Sequence, residues 1–204
     1  MKLHGLYAIT PDLNDTDLLQ ARVEQALRGG ARILQYRNKL AGPDLARVQA
    51  LALRALSREY AAIFIINDDV QLAIEVGADG VHLGGDDGDL AVARSELPQG
   101  MLLGASCYDD PALAQAAIAA SVDYVAFGAV FQSGTKPLAR RASPELIAKV
   151  RTQIDVPIVA IGGITPDNAP QVIAAGADCV AVIGALFDAE DIAKQAQLFS
   201  RCFT

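Results

Sequence analysis

Residues 77–81, Gly77-Ala78-Asp79-Gly80-Val81, end a helical pattern and begin a short apolar run. The same transition recurs at residues 121–125 and at residues 176–180, each time with an aspartate in the third position. A weaker copy, with an arginine in fourth place, occupies residues 29–33. Because another apolar run and another amphipathic stretch separate each copy from the next, the repeat indicates four pairs of strand-and-helix units.

Eight apolar runs alternate with eight longer amphipathic stretches. We predict strands at residues 3–9, 31–36, 62–66, 80–83, 102–106, 124–130, 157–161 and 179–183. We predict helices at residues 16–28, 43–60, 69–76, 89–96, 111–119, 143–152, 166–174 and 189–199. Eight such units predict an α/β fold, a (β/α)8 TIM barrel in which residues 1–204 form a single domain. A doubly wound sheet is the alternative, but its glycine-rich G-x-G-x-x-G turn does not follow an early strand.

The composition limits the class of partner. A hydrophobic content of 52% supplies a core without disulfides or structural metals, and the formal net charge is -7 with scattered Lys and Arg. We therefore expect no nucleic acid and no membrane partner, while a cleft that binds an anionic small molecule remains compatible with this charge. The chain lacks a signal-peptide pattern and a long apolar span, and its cysteines lack C-x-x-C spacing, so we expect a cytoplasmic protein with reduced thiols.

A polar run, Gln35-Tyr36-Arg37-Asn38-Lys39, ends the second predicted strand. Since strand side chains alternate between faces, Gln35, Arg37 and Lys39 are expected to point to one side. An amide, a guanidinium and an ammonium on one side form a clamp for phosphate. The alternative is a loop whose cations only contact solvent.

Acidic residues follow the third and fourth predicted strands. Asp69 and Asp89 suit the N-caps of the next helices, which leaves Asp68, in Asn67-Asp68-Asp69, and Asp87 without a capping role. Two carboxylates at neighbouring strand ends would repel each other unless a cation lay between them, and Mg²⁺ prefers such oxygen ligands. Solvated loop acids are the alternative.

Strands five to eight end in small and hydroxyl-bearing residues. Ser106 ends strand five, and a loop containing Ser133, Thr135 and Lys136 follows strand six. Strands seven and eight end in Gly162-Gly163 and in Ile183-Gly184, where barrels often bind phosphate through backbone N–H groups. The mouth of the barrel therefore suits two separately phosphorylated ligands. The histidines contribute less: His4 is expected to be peripheral, and His82 to be a core residue bonded to its neighbours.

These motifs together resemble the thiamin phosphate synthase family, from residues 5–10 to residues 184–185. The resemblance implies an Mg²⁺-dependent transferase of thiamine biosynthesis. It would join 4-amino-2-methyl-5-hydroxymethylpyrimidine pyrophosphate to thiazole phosphate, with release of pyrophosphate and a dissociative mechanism. The partners implied are small phosphorylated substrates, and a homo-oligomer is left open.

The resemblance also assigns residues to roles. It implies catalytic roles for Arg37, Lys39, Ser106 and Lys136, and metal ligation by Asp68 and Asp87. It implies contacts to the pyrimidine substrate from Gln35, Arg37, Lys39, Asn67, Ser106 and Lys136. It implies a site for thiazole phosphate at Ser133, Thr135, Gly163, Ile183 and Gly184. The chain departs from the family pattern where Gln132-Ser133 replaces Pro-Thr and where Ile183-Gly184 replaces Val-Ser.

Two other enzyme classes are weighed against this one. A metal-dependent sugar-phosphate epimerase would need inward histidine ligands, and the chain has only two histidines. Relatives of the synthases act as thiazole tautomerases or regulators, but these tend to lose the clamp and the paired acids. This chain keeps both groups of residues, which favours the synthase.

Overall fold

The computed structural model describes residues 3–85, 87–131 and 142–203. Its strands are β1 Gly5–Ile9, β2 Ile33–Tyr36, β3 Ile63–Asn67, β4 Gly80–Leu83, β5 Leu102–Tyr108, β6 Tyr124–Phe127, β7 Ile158–Ile161 and β8 Cys179–Val182. Its helices are α1 Thr16–Arg28, α2 Pro43–Glu59, α3 Val70–Glu75, α4 Leu90–Glu96, α5 Pro111–Ala119, α6 Pro144–Arg151, α7 Ala169–Ala174, α8 Gly184–Phe187 and α9 Ile192–Arg201. The predicted alternation of strand and helix is confirmed.

All eight strands are parallel and form one closed barrel in sequence order. Closure comes from β1, which pairs with β2 at Tyr7 and Ile33 and with β8 at Gly5 and Cys179. Since all strands run the same way, their carboxyl ends and the loops that follow them lie at one end of the barrel. The predicted (β/α)8 fold is therefore confirmed, while the assignment of residues 1–204 to one domain stays a prediction.

Apolar side chains fill two separate layers. One buried cluster lies inside the barrel and includes Tyr7, Ile33, Ile65, Tyr124 and Val159. The larger cluster lies between the strands and the surrounding helices. This division follows from strand geometry, because successive side chains point alternately into the barrel and out toward the helices.

The aspartate of each repeat ties the amino ends of two strands to a helix. Asp79 accepts hydrogen bonds from the backbone N–H of Phe64, at 2.8 Å, and from both terminal nitrogens of Arg54, at 2.7 and 2.8 Å. The other two copies repeat these contacts: Asp123 with Leu103 and Arg94, and Asp178 with Ile158 and Arg151. In the weaker copy Arg32 stands in place of the aspartate and has only backbone hydrogen bonds to the neighbouring strands. Its N–H donates to the Leu6 carbonyl, and its carbonyl accepts from the Ile63 N–H.

Where the predicted boundaries differ from the observed ones, they differ by one to three residues, at both ends of the elements. The strand predicted for residues 124–130 ends at Phe127, and the helix predicted for residues 166–174 begins only at Ala169. The short helix α8 was not predicted, because its four residues are too few to show a helical period. Among the described residues, none of the helices is both long and apolar enough to cross a membrane.

Replacing Asp79 with Ala tests the repeated contact. The substitution leaves Arg54, whose side chain is 13% exposed, without its carboxylate, and it removes the acceptor of the Phe64 N–H. We expect the free energy of unfolding to fall by about 2 to 3 kcal/mol, measured by urea denaturation. Glu75→Ala is the control, because it breaks the exposed pair of Glu75 with Arg47 and should cost under about 1 kcal/mol. Equal losses in the two variants would contradict this role of Asp79.

Candidate active site

A cavity of about 1200 Å³ opens at the carboxyl ends of the strands. Its lining includes seven of the predicted site residues: Gln35, Arg37, Asn67, Ser106, Gly163, Ile183 and Gly184. Residues Lys39, Asp68 and Asp87 lie in the loops after β2, β3 and β4. The predicted residues Ser133, Thr135 and Lys136 lie outside the described part of the chain, as does Gln132.

Arg37 is held in place by the loop after β1. Its guanidinium donates to Asp12 at 3.2 Å, and its backbone N–H donates to the hydroxyl of Thr10 at 2.9 Å. The same hydroxyl donates back to the Arg37 carbonyl at 2.8 Å, and Thr10 is fully buried. The cation of the predicted clamp is therefore partly neutralised by a carboxylate that the sequence analysis did not identify.

The expected alternation is observed for Gln35 and Arg37, which line the cavity, and for Asn38, which does not. Gln35 is buried and faces the cavity, where its amide nitrogen donates to the hydroxyl of Tyr7 at 3.0 Å. Asn38 points away from the cavity and donates to the Leu13 carbonyl at 2.7 Å. Lys39 is exposed, and its backbone N–H donates to Asp12 at 2.9 Å.

Asp68 and Asp87 come together, as predicted from their positions after neighbouring strands. Burial and, after it, the hydrogen-bonded, like-charged carboxyl of Asp87 raise the pKa of Asp68 to about 6. Lys39 and Arg37 act in the opposite direction on this pKa, which puts both cations within electrostatic reach of the acidic pair. Among residues 3–85, 87–131 and 142–203, no group of three or more His, Cys, Asp or Glu side chains is arranged to hold a metal ion. The two carboxylates alone would thus leave coordination positions for other oxygen ligands.

The backbone supports this pair. Asp68 adopts a left-handed conformation with φ of 65°, and its N–H donates to the His82 carbonyl at 2.8 Å. Asp87 accepts from the Gly84 N–H at 2.9 Å. The neighbouring Asp69 and Asp89 accept from the first-turn N–H groups of α3 and α4, so their predicted capping role is confirmed.

Ser106 and His82 meet inside the barrel. The His82 Nε2 lies 2.9 Å from the Ser106 hydroxyl, and its Nδ1 lies 3.1 Å from the Tyr124 hydroxyl. Burial lowers the pKa of His82 to about 4, so the ring is neutral at pH 7. The predicted core role of His82 is confirmed, and His4 is exposed, as expected.

The glycine-rich ends of β7 and β8 form the opposite wall of the cavity. Gly162 and Gly163 have φ of 99° and 65°, a region that favours glycine, and the Asn168 side chain donates to the Gly163 carbonyl at 3.0 Å. Gly184 is the first residue of α8, and the N–H groups in the first turn of this helix have no acceptor within the helix. Asp188 also lines this wall and was not predicted. A Cβ at Gly184 would lie 2.6 Å from the Asp188 carboxylate, so the family's serine would require that side chain to move.

Several functional candidates were missed by sequence reasoning. Thr10 and Asp12 follow β1, and the strand-end rule that selected the other residues could have selected them too. Tyr7 and Tyr124 lie within apolar strands, where an aromatic residue gives no sign that its hydroxyl faces a cavity.

A cavity at the strand ends, with a cationic side, an acidic pair and a glycine-lined wall, is the arrangement expected of a (β/α)8 barrel enzyme. The family model described as thiamine monophosphate synthase matches residues 6–186. The chain therefore belongs to the thiamine monophosphate synthase family. As a member it is an enzyme, a transferase of thiamine biosynthesis, which confirms the prediction from sequence.

Individual relatives agree with this assignment. A thiamine-phosphate synthase of Methylobacillus flagellatus is 55% identical over 98% of this chain and 96% of the relative. One of Aromatoleum aromaticum is 52% identical over 99% of this chain and 97% of the relative. The solved thiamine phosphate pyrophosphorylase of Pyrococcus furiosus superposes with a TM-score of 0.89 at 36% identity, covering 99% of this chain and 96% of that one.

Asp68→Asn tests the electrostatics of the acidic pair. A carboxyl whose pKa is raised on folding favours the protonated form, so its charge costs stability as pH rises from about 4 to above 6. Without divalent cations, we expect the variant to be more stable than the parent protein at pH 7.5 by about 1 kcal/mol after solvent screening. The difference should shrink toward pH 4.5, as measured by urea denaturation at both values. The exposed Asp155→Asn serves as the control. If Asp68→Asn changed the free energy of unfolding equally at both pH values, a raised pKa of Asp68 would be contradicted.

Proposed function

We propose that this chain condenses 4-amino-2-methyl-5-hydroxymethylpyrimidine pyrophosphate with thiazole phosphate, giving thiamin phosphate and pyrophosphate. The observation that carries the proposal is the division of the cavity into two anion-binding walls. Arg37 lies on one side, next to the acidic pair, and the glycine-rich ends of β7 and β8 lie on the other. A cavity with two such walls suits two phosphorylated substrates better than it suits a single one.

The volume supports two ligands bound at once. About 1200 Å³ exceeds the usual range of a pocket for a single small molecule, roughly 300 to 1000 Å³. Holding both substrates in one cavity lowers the barrier, since it replaces a bimolecular encounter by a positioned one.

Mg²⁺ is the cofactor we propose for the acidic pair. The raised pKa of Asp68 marks a place where two carboxylates meet without enough positive charge, and oxygen donors of this kind suit Mg²⁺. Asp68 and Asp87 would hold the ion, and substrate phosphate oxygens and water would complete its coordination. The bound ion would supply charge neutralisation to the pyrophosphate leaving group.

The proposed reaction is dissociative and needs no protein nucleophile. The C–O bond to pyrophosphate breaks and its electron pair leaves with the pyrophosphate oxygen. A pyrimidine-stabilised cation remains, and the thiazole nitrogen donates the electron pair that forms the new C–N bond. Arg37 and Lys39 stabilise the departing charge, and Lys136 is proposed to do the same.

Neutral side chains orient the pyrimidine in this proposal. Gln35, Asn67 and Ser106 all line the cavity, at the ends of β2, β3 and β5. The thiazole phosphate is assigned to the opposite wall, at Gly163, Ile183 and Gly184, and to Ser133 and Thr135. There, backbone N–H groups replace the hydroxyl that the family pattern has at Gly184.

The competing enzyme classes are less well supported. A histidine-ligated epimerase would need free imidazole nitrogens, but both nitrogens of His82 are hydrogen-bonded and His4 is exposed away from the cavity. A tautomerase-like relative would not need Arg37, Lys39 and the acidic pair. A cytoplasmic location is also proposed, since Cys107, Cys179 and Cys202 are free thiols.

Pyrophosphate release is the direct test of this function. The purified chain, mixed with both phosphorylated precursors and Mg²⁺, should release pyrophosphate and thiamin phosphate in equal amounts. Omitting either precursor or adding a chelator should abolish release. Release without thiazole phosphate would indicate hydrolysis, and no release with both precursors would favour a tautomerase-like or regulatory relative.

Variants of the cationic and acidic groups test the mechanism. We expect Lys39→Ala and Asp68→Ala to lower kcat by about two to three powers of ten, because each removes charge at the leaving group. Lys149→Ala and Asp155→Ala, at exposed positions outside the cavity, are the matched controls. Near-normal kcat in either test variant, with the fold intact by circular dichroism, would rule out the proposed charge stabilisation.

A further inference from the structure

Five polar side chains from five strands form one continuous hydrogen-bond chain across the inside of the barrel. The Gln35 amide nitrogen donates to Tyr7, and the Tyr7 and Tyr124 hydroxyls lie 2.9 Å apart. The Tyr124 hydroxyl contacts His82 Nδ1 at 3.1 Å, and His82 Nε2 contacts the Ser106 hydroxyl at 2.9 Å. All five side chains line the cavity, and the two ends are residues that the proposed function assigns to the pyrimidine.

The packing around this hydrogen-bond chain indicates that its hydroxyl groups serve hydrogen bonding and do not fill volume. Tyr7 and Tyr124 are almost fully buried, and a phenylalanine would fill nearly the same volume. The rings of His82 and Tyr124 stack with centroids 5.5 Å apart. Space for Tyr124 exists because residue 104 is glycine, where a Cβ would lie 2.0 Å from the tyrosine ring. Buried hydroxyls are costly unless they are hydrogen-bonded, so this network must be satisfied throughout.

A tyrosine hydroxyl can accept two hydrogen bonds, but if each buried tyrosine donates its own proton to a neighbour within the chain, only two directions are self-consistent. Each hydroxyl has one proton to donate, and the neutral His82 ring donates from one nitrogen and accepts at the other. If Gln35 donates to Tyr7, then Tyr7 donates to Tyr124, Tyr124 to His82, and His82 to Ser106. In the reverse direction every proton points the other way, and Ser106 donates to His82. The observed orientation of the Gln35 amide, with its nitrogen on Tyr7, selects the first direction.

We infer that the chain runs from Gln35 to Ser106, and that it makes the cavity selective for an aminopyrimidine over the corresponding oxopyrimidine. Gln35 keeps its carbonyl oxygen and one N–H for a ligand, which match an exocyclic amino group and the adjacent ring nitrogen. Ser106 directs its O–H toward the cavity as a donor. A Gln35 flip would accommodate an oxo group, but it would break the bond to Tyr7 unless the whole chain reversed.

Tyr7, Tyr124 and His82 are therefore positioning residues in this inference, which rests on the proposed pyrimidine substrate. Their effect is on selectivity, because the donor and acceptor of an oxopyrimidine with a ring N–H are the reverse of those of the aminopyrimidine, and a Gln35 amide held in one orientation pairs with only one of the two. The charged groups at Arg37 and the acidic pair are the same for both analogues. Discrimination between amino and oxo must then come from the uncharged chain.

The direction of the chain can be read directly from His82. The sequence contains only His4 and His82, so protein labelled with ¹⁵N-histidine gives two assignable rings, and His82→Asn identifies which is which. NMR of the parent protein without ligands should show His82 with the proton on Nε2 and none on Nδ1. A proton on Nδ1 would overturn the inference, whatever reaction the protein catalyses.

The selectivity is tested by binding, without turnover. Dissociation constants of the aminopyrimidine pyrophosphate and of its 4-oxo analogue are measured by calorimetry with Mg²⁺ and without thiazole phosphate. In Tyr7→Phe and Tyr124→Phe, we expect the preference for the amino compound to fall about tenfold or more, the effect of losing one well-made hydrogen bond. Tyr60→Phe, which removes a hydroxyl bonded to Glu24, should keep the preference of the parent protein.

Each outcome of these measurements bears on one claim. In Tyr124→Phe the His82 ring should also change to a mixture of tautomers, which a merely structural tyrosine would not cause. An unchanged amino preference in both folded variants would overturn the positioning role. Failure of the parent protein to bind either pyrophosphate compound would instead refute the proposed function. It would not affect the inferred direction of the hydrogen-bond chain, because the NMR measurement uses no substrate.

Discussion

The barrel depends on a carboxylate placed one residue before three of its strands, β4, β6 and β8. Asp79, Asp123 and Asp178 each accept an N–H from the preceding strand and hydrogen bonds from an arginine of the helix that leads into that strand. One side chain thus sets the register of two strands and the position of one helix. Because the contact lies at the amino ends of the strands, the carboxyl ends are left for groups selected by ligand binding instead of stability.

Charged and uncharged groups occupy different depths of the cavity. Arg37, Lys39 and the acidic pair lie in the loops after β2 to β4, where solvent moderates the cost of unpaired charge. Below them the side chains are neutral, since burial keeps the protons on Tyr7 and Tyr124 and keeps His82 uncharged. Polar groups at this depth are tolerated because each one is satisfied by the next. The outer level suits phosphate groups, and the inner level suits a ring.

The sequence was sufficient for the fold because the repeat is local. Asp79 and its counterparts lie beside the strand they begin, and the acids after β3 and β4 could be paired from strand order alone. The contact between His82 and Tyr124 could not be predicted, since it spans 42 residues and joins strands that are not neighbours. The position of Asp12 after β1 could have marked it as a site residue, but its contact with Arg37 could not be predicted, since the two residues are 25 positions apart.

Asp12 also changes what it means for Arg37 to bind an anion. Its carboxylate accepts hydrogen bonds from the Arg37 guanidinium and from the Lys39 backbone N–H. An incoming anion would have to replace the carboxylate at these donors. A singly charged anion that displaces the Asp12 carboxylate gains an attraction to Arg37 about equal to the attraction that is lost. An ion carrying about three charges gains more than it displaces. In the proposed site, the Asp12 carboxylate would therefore compete with incoming anions and favour a highly charged ligand over singly charged ones.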